Sequence, residues 1–365
     1  MHVENRIRPG IDRIQPYLPG ITDDELKKLY GLQRVVKLNA NENALGPSPM
    51  ALRAIQEELM TLHHYPDGGS ELLREAIARF HGVDVASVFV GNGSDDIIKL
   101  LSETFLNPDD EVVVPHPSFS QYGFGAAIMQ AQMRYVPLQR DFSYDIEAFL
   151  PAVTEKTKFV YLCSPNNPTG TIVTEKQVQW FLDNLPTDVI LILDLAYNDY
   201  STHLERFVES PEFLSDPRVV VLHTFSKLYG LAGLRVGYGL ASPELWSFVH
   251  RVREPFNVNR VGQRAAAAAL EDSGHRERSQ QHAASSREFF RQAAARLGIG
   301  YVETEANFAL LKTGNGAELS QRLTEHGVLV RAGFAGLEDY MRVTFGTPEE
   351  NQLWLAAMEA VYIRS

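Results

Sequence analysis

Lys227 ends an apolar run, VVVLHTFS (219–226), and is followed by LYGLAGLRVGYG (228–239), which carries Arg235. A lysine is ordinarily a surface residue. One that follows a strand with a buried composition is desolvated, and desolvation lowers an amine's pKa toward its neutral, nucleophilic form. Other reactive residue types stand at comparable places. VILILD (189–194) brings Asp194 to the end of a second apolar strand, with Tyr197 just after it, and SPNNPTG (164–170) contains Asn167. GNGSDD (91–96) opens an apolar-periodic helix, so the amides of Gly93, Ser94 and Asp95 are expected to face an anion with the helix dipole behind them. Ser226 and Arg235 flank the lysine, Thr224 adds a hydroxyl, and Phe119 in PHPSFSQY (115–122) offers a flat apolar ring.

These types together meet the needs of one cofactor, pyridoxal 5'-phosphate. Its aldehyde takes an amine, Lys227. Its pyridine nitrogen needs a carboxylate to stay protonated, Asp194, because the protonated ring is the electron sink. Asn167 and Tyr197 suit the ring oxygen, the GNGSDD amides with Ser226, Arg235 and Thr224 suit the phosphate, and Phe119 suits the ring face. Each has a bland reading when taken singly: a helix start, an N-cap, core aromatics, a loop lysine, half of a salt bridge. Their order and types together favour the cofactor. Cys163, the single cysteine, is read as a small buried residue without chemistry, and no metal is expected.

The elements that must position these residues read as follows. From Val88 onward, short apolar strands (VFV, EVVVP, FVYLCSP, VILILD, VVVLHTFS, VGYGLAS) alternate with helical stretches, among them 97–106 and 175–185. That is the pattern of an α/β fold with a mostly parallel sheet covered on both faces, whose ligands bind beyond the strand C-termini. After Pro255 come helices over 261–270 and 277–297, then NFALLK, a helix to His326, GVLVR, MRVTFG and a last helix from Pro348, a smaller α+β domain. At 365 residues two domains are expected. The expected division is an N-terminal segment (1–42) packing with the small domain, a large cofactor-binding domain (43–255) and a small C-terminal domain (256–365). The formal net charge of −12 opposes nucleic-acid and anionic-membrane binding. The lone cysteine, with no signal-peptide core and no membrane-spanning run, places the protein in the cytoplasm.

The chain resembles the fold type I pyridoxal-phosphate aminotransferases, and within them the histidinol-phosphate aminotransferases. The matching stretches run in the family's order from LNANENALGPSP (38–49), YPDG (65–68) and GNGSDD through CSPNNPTG (163–170), DLAY (194–197) and TFSKLYGLAGLRVGYG (224–239) to PFNVNRVGQRAA (255–266), ANFALL (306–311) and MRVTFGTPEEN (341–351). The resemblance implies that Lys227 attaches the cofactor and later carries a proton, with Asp194, Asn167, Tyr197 and the phosphate residues in the roles above. It also implies that Tyr65 reaches across a homodimer to the partner's cofactor phosphate, that Arg331 and Arg342 grip the acid end of the substrate, and that Tyr17 closes over it. The implied reaction is transamination of L-histidinol phosphate with 2-oxoglutarate, a step of histidine biosynthesis. Two departures are Leu195, where the family usually has an acidic residue, and Ala44, where proline is common. The rivals are an aromatic amino acid aminotransferase, a threonine-phosphate decarboxylase and a cofactor-sensing regulator domain. The last is disfavoured by the acidic chain and by the absence of a helix-turn-helix pattern before LNANEN.

Overall fold

The structure, a computed structural model, describes residues 6–11, 14, 22–204, 206–207 and 210–362. Tyr17, expected over the substrate, lies outside the described residues. The chain begins with α1 (Asp23–Tyr30), capped by a reciprocal Thr22–Glu25 box, then β1 (Val36–Lys37), α2 (Pro49–Glu58), α3 (Glu71–His81), β2 (Val88–Gly91) and α4 (Ser94–Phe105). Next come β3 (Glu111–His116), α5 (Gln121–Ile128), β4 (Gln132–Pro137), β5 (Thr157–Cys163), α6 (Glu175–Asn184), β6 (Ile190–Asp194), α7 (Pro211–Leu214), β7 (Val219–Thr224) and β8 (Gly237–Ala241). The remainder is α8 (Pro243–Val249), α9 (Arg260–Glu271), α10 (Ser273–Leu297), β9 (Gly300–Val302), β10 (Phe308–Lys312), α11 (Gly316–Glu325), β11 (Val328–Leu329), β12 (Tyr340–Thr344) and α12 (Pro348–Tyr362).

Seven strands form one sheet in the order β2-β8-β7-β6-β5-β3-β4. The five from β7 to β4 pair in parallel, while β8 runs antiparallel to both β7 and β2. The fold is therefore α/β with a mostly parallel sheet, as the alternation of apolar strands and helices requires. Alternate strand residues feed two cores. Val160, Leu162, Leu191, Leu193, Val219 and Val221 face one side with α3, α6 and α9, and Phe159, Tyr161, Ile192, Val220 and Leu222 face the other with α4, α5 and α8. Apolar side chains on both faces explain why these strands read as continuous apolar runs rather than alternating ones. Because β2 is antiparallel to β8 and β8 to β7, the C-termini of β2, β3, β5, β6 and β7 all lie at one edge of the sheet. Phe119, Asn167, Asp194, Ser94 and Lys227 follow those ends.

A three-stranded sheet, β12-β10-β9, and a parallel pair, β1-β11, form the rest. Two strands are shorter than the apolar runs suggest. VVVLHTFS leaves the sheet after Thr224, whose hydroxyl accepts the Ser226 N–H at 3.1 Å and turns the chain. GVLVR ends as a strand at Leu329, although Arg331 still pairs with Arg342 through a single bridge. Helix α4 starts at Ser94 rather than 97, with Gly93 as its N-cap, and α10 starts at Ser273, capped by Asp272.

Candidate active site

A cleft of about 860 Å³ opens at the C-terminal edge of the large sheet. Of the residues singled out in the sequence, Ser94, Asp95, Phe119, Asn167, Asp194, Tyr197, Thr224, Ser226, Lys227, Arg235, Arg331 and Arg342 line it. Gly93 sits just behind the lining. Tyr65 does not join them: it is 77% exposed and stacks on Phe256 at 4.5 Å.

Lys227 stands on the turn after β7. That turn comes within touching distance of another: Gly230 has φ +68°, and a Cβ there would meet Gly46 O at 2.2 Å. Glycine is thus required both by conformation and by the close approach of the 46–47 backbone. Lys227 Nζ donates to Ala40 O at 3.1 Å. By surface area the residue is only partly buried, since it lines an open cleft, yet protein surrounds its amine. Desolvation, helped by the positive charges of Arg342 and Arg235 and opposed by Asp95 and Glu42, brings its pKa down to about 8.

Asp194 ends β6 and is 3% exposed. Burial raises its pKa, and a hydrogen bond from the Tyr122 hydroxyl to Oδ2 at 2.7 Å works against that rise. Ala196 N–H donates to Oδ1 at 3.1 Å. Cys163 pairs with Asp194 in the strand register and is a buried free thiol whose pKa burial pushes up. It stays neutral, in keeping with a structural role. Leu195, the departure beside Asp194, is 1% exposed and packs into the apolar core, where an acidic side chain would lack solvent.

At the helix end, Gly93 acts differently from expectation. Its amide donates to Gly91 O at 2.9 Å and is not available to an anion. What Gly93 provides is space: it has φ +88°, and a Cβ would lie 2.6 Å from Arg235 Nη2. The amides of Ser94 and Asp95, in the first turn of α4, have no intrahelical acceptor. Arg235 reaches over them, donating to Ser226 Oγ at 3.4 Å and to Asp95 Oδ2 at 3.4 Å. A glycine cradle, helix N-terminal amides, a hydroxyl and a guanidinium make a donor set suited to a phosphate.

On the opposite wall, Arg331 and Arg342 pair backbone to backbone, at 3.0 and 2.7 Å, so the turn between them brings the two arginines side by side. Their environments differ. Arg342 is 7% exposed, with Nη1 donating to Asn167 Oδ1 at 2.5 Å, Nη2 donating to Asn39 O at 2.8 Å, and Nε without a partner. Desolvation and the neighbouring Arg331 lower its pKa to about 10, so it stays charged at neutral pH. Arg331 is exposed, and its side chain has no partner among the described residues.

These contacts also orient the amide and phenol in the cleft. Arg342 can only donate, so Asn167 must present Oδ1 to it, leaving Nδ2 as a donor toward the cleft. Tyr197, 5% exposed, accepts from Asn41 Nδ2 at 3.0 Å and keeps its own hydroxyl hydrogen to donate elsewhere.

Sequence reasoning used LNANEN only for its resemblance. In the structure, three successive residues of it each hold a different site residue: Asn39 O takes Arg342, Ala40 O takes Lys227, and Asn41 Nδ2 takes Tyr197. The segment is itself pinned by Leu38, which is bonded to Leu329 and Thr344. Two of the three contacts use backbone carbonyls, which leave no mark on residue type. Tyr122 was also missed, because a tyrosine in an apolar helix reads as core.

The family model of the class I and II aminotransferases matches residues 33–358. The chain belongs to that family. It is 42% identical over 360 residues to a histidinol-phosphate aminotransferase of Moorella thermoacetica, covering 98% of this chain and 93% of that enzyme. It is 40% identical to one of Symbiobacterium thermophilum, covering 97% and 98%. Its backbone matches the crystal structure of histidinol-phosphate aminotransferase from Sinorhizobium meliloti in complex with pyridoxal-5'-phosphate, with a TM-score of 0.89 at 28% identity over 98% of each chain. The protein is therefore a pyridoxal-phosphate aminotransferase, and the donor set just described fits that cofactor. Among the described residues no helix is long and apolar enough to cross a membrane.

Proposed function

We propose that this aminotransferase takes L-histidinol phosphate as amino donor and 2-oxoglutarate as acceptor, giving imidazole-acetol phosphate and glutamate, in the cytoplasmic biosynthesis of histidine. The observation that carries the proposal is the pairing of Arg331 with Arg342 in the cleft that holds Lys227. One arginine suffices for a carboxylate, whereas a phosphate, with more charge and a third oxygen, suits two. Arg342 already has two neutral acceptors, and Arg331 stands beside it with an unengaged side chain. The names of relatives near 40% identity along the whole chain support the same substrate.

When bound, pyridoxal phosphate supplies the aldehyde that receives the amino group and the ring that holds the electron pair left at the donor Cα. The chain's own residues do the rest. Lys227 Nζ takes the Cα proton and returns it. Asp194 holds the ring nitrogen. Asn167 Nδ2 and the Tyr197 hydroxyl donate to the ring oxygen, and Phe119 covers the ring. The amides of Ser94 and Asp95, with Ser226, Thr224 and Arg235, receive the cofactor phosphate over Gly93.

The proposal includes a homodimer with shared sites. Tyr65 is exposed and does not line its own cleft, and its loop is anchored from α9, where Arg260 Nη1 donates to Tyr65 O at 3.1 Å and Gln263 Nε2 to Asp67 O at 2.9 Å. Leu59, Met60 and Leu62 beside it are exposed, an apolar surface that a partner would cover. The division into 1–42, 43–255 and 256–365 is part of the same reading. It is supported by the pairing of β1 with β11, although α9, just past the second boundary, packs on α2 and α3.

The test is a steady-state comparison of histidinol phosphate, phenylalanine, tyrosine and threonine phosphate as donors. The expected result is the highest kcat/KM for histidinol phosphate. A preference for the aromatic amino acids, or carbon dioxide release from threonine phosphate, replaces the proposal by the corresponding rival.

A further inference from the structure

The floor of the cleft rests on a side chain that no role above uses. Tyr122, on α5, is 1% exposed and does not line the cleft. Its ring stacks on Tyr161, with centroids 4.3 Å apart and planes at 15°, and meets Phe119 edge-on at 5.6 Å. Held in this way, its hydroxyl donates to Asp194 Oδ2 at 2.7 Å, while Ala196 N–H holds Oδ1 from the other side. Two donors on two oxygens leave the carboxylate one orientation that satisfies both.

We infer that Tyr122 is a positioning residue for Asp194, keeping its carboxylate ionised and fixed so that the ring nitrogen of pyridoxal phosphate holds its proton. This rests on the reading of Asp194 given above. Where a pyridine nitrogen meets a buried carboxylate, the proton sits on nitrogen only if the carboxylate is stabilised as an anion. Burial favours the opposite outcome by raising the Asp194 pKa. Of the groups around Asp194, Tyr122 is the strongest influence lowering it. The Ala196 amide acts in the same direction, Asp95 opposes it, and His223 adds a smaller lowering. Cys163, the neighbour on β5, remains a neutral thiol. Burial and the adjacent carboxylate also push the Tyr122 phenol far up, so it remains a donor at any working pH. A hydrogen bond to an ionised group in a buried site is among the stronger ones, and Tyr122 reaches the cleft through Asp194 at its hydroxyl and through Phe119 at its ring edge, of which only the first is removed in Tyr122→Phe.

The experiment reconstitutes wild-type protein, Tyr122→Phe, Asp194→Asn and the double variant with pyridoxal phosphate labelled with ¹⁵N in the ring. It records the ring-nitrogen signal against pH, together with steady-state kinetics. Phenylalanine keeps the ring that stacks on Tyr161, and melting curves check the fold. The expected result for Tyr122→Phe is retained cofactor and a nitrogen signal moved toward the unprotonated position. Its kcat is expected to fall about ten- to a hundredfold with donor KM little changed. In the Asp194→Asn background the same substitution should add no further loss. Incorporation of 3-fluorotyrosine at position 122 keeps the ring and a stronger donor, and should leave the nitrogen protonated even if the phenylalanine variant does not fold. The inference is overturned if the nitrogen signal of Tyr122→Phe matches wild type, if the loss is the same in both backgrounds, or if 3-fluorotyrosine deprotonates the ring nitrogen. A wild-type nitrogen that is already unprotonated removes the reading of Asp194 as well, which separates the two failures.

Discussion

The two walls of the cleft are built on opposite terms. At the floor, Asp194 is buried and each of its oxygens has a donor, from Tyr122 and Ala196. On the facing wall, Arg342 is nearly as buried, yet its Nε lacks a partner, and the adjacent Arg331 has no side-chain partner among the described residues. A buried polar group with every partner in place is rigid. A buried donor left without one retains hydrogen-bonding capacity. The contrast is that the floor's carboxylate is fully paired within the chain, whereas the arginine wall keeps donors free, as the proposed grip on an anionic substrate requires.

The largest effect should come from the floor. Lys227→Ala should lower turnover by at least about 10⁴-fold, since both the attachment point and the proton carrier are lost. Borohydride reduction of the wild type should place the cofactor label on Lys227 and no other lysine. Mixing Lys227→Ala chains with Tyr65→Ala chains should return activity in heterodimers, because one site per pair then has both residues intact. Verified heterodimers without recovery would remove the shared site.

Next in size is Asp194→Asn, expected to bind cofactor but to lose on the order of 10²–10³ in kcat, the scale of removing one preorganised electrostatic partner. Near-normal turnover with cofactor retained would show that the floor is not the electrostatic partner of the ring. The arginine wall should respond more mildly and more selectively. Arg331→Gln should lower kcat/KM for histidinol phosphate about ten- to a hundredfold and for phenylalanine less, the value of one charge-assisted contact. An equal loss for both donors would erase the proposed distinction between the walls and favour the aromatic aminotransferase.

The smallest effect is a displaced midpoint. In cofactor-free protein the Lys227 pKa lies near 8 rather than 10.5, so its amine is protonated and unreactive below pH 8 and neutral above it. Its rate of reaction with a small aldehyde should rise through about pH 8 and level off, where an exposed lysine would continue to gain to about pH 10.4. Because Arg342 contributes to lowering that pKa, Arg342→Gln should move the midpoint upward. A midpoint that stays in place would mean that the two walls are electrically independent.

How much could be read in advance follows from what leaves a trace in residue type. Lys227, Asp194, Asn167 and the GNGSDD turn were legible because each is chemically distinctive and stands at the end of an apolar strand, and Arg235 because it lies in the glycine-rich stretch that follows Lys227. The run of such strands implies a shared edge once they are known to lie in one mostly parallel sheet. The role of Gly93 was legible only in part: a glycine before a helix is visible, but whether it offers its amide or its missing side chain depends on where Arg235 lies.

What the sequence by itself determined was the sheet's composition, the order of the reactive residues along it and the presence of two late arginines. The tertiary structure alone decided which groups meet. It placed the backbone of residues 39–41 against three site residues, set Tyr122 behind Asp194, and made Arg342 buried and Arg331 exposed although both are arginines in one hairpin-like turn. The reason is physical. Strand periodicity and residue chemistry are local properties that a chain carries wherever it goes. Carbonyl acceptors are alike at every residue, and burial depends on neighbours hundreds of positions away, as in the contact between Asn39 and Arg342 across 303 residues.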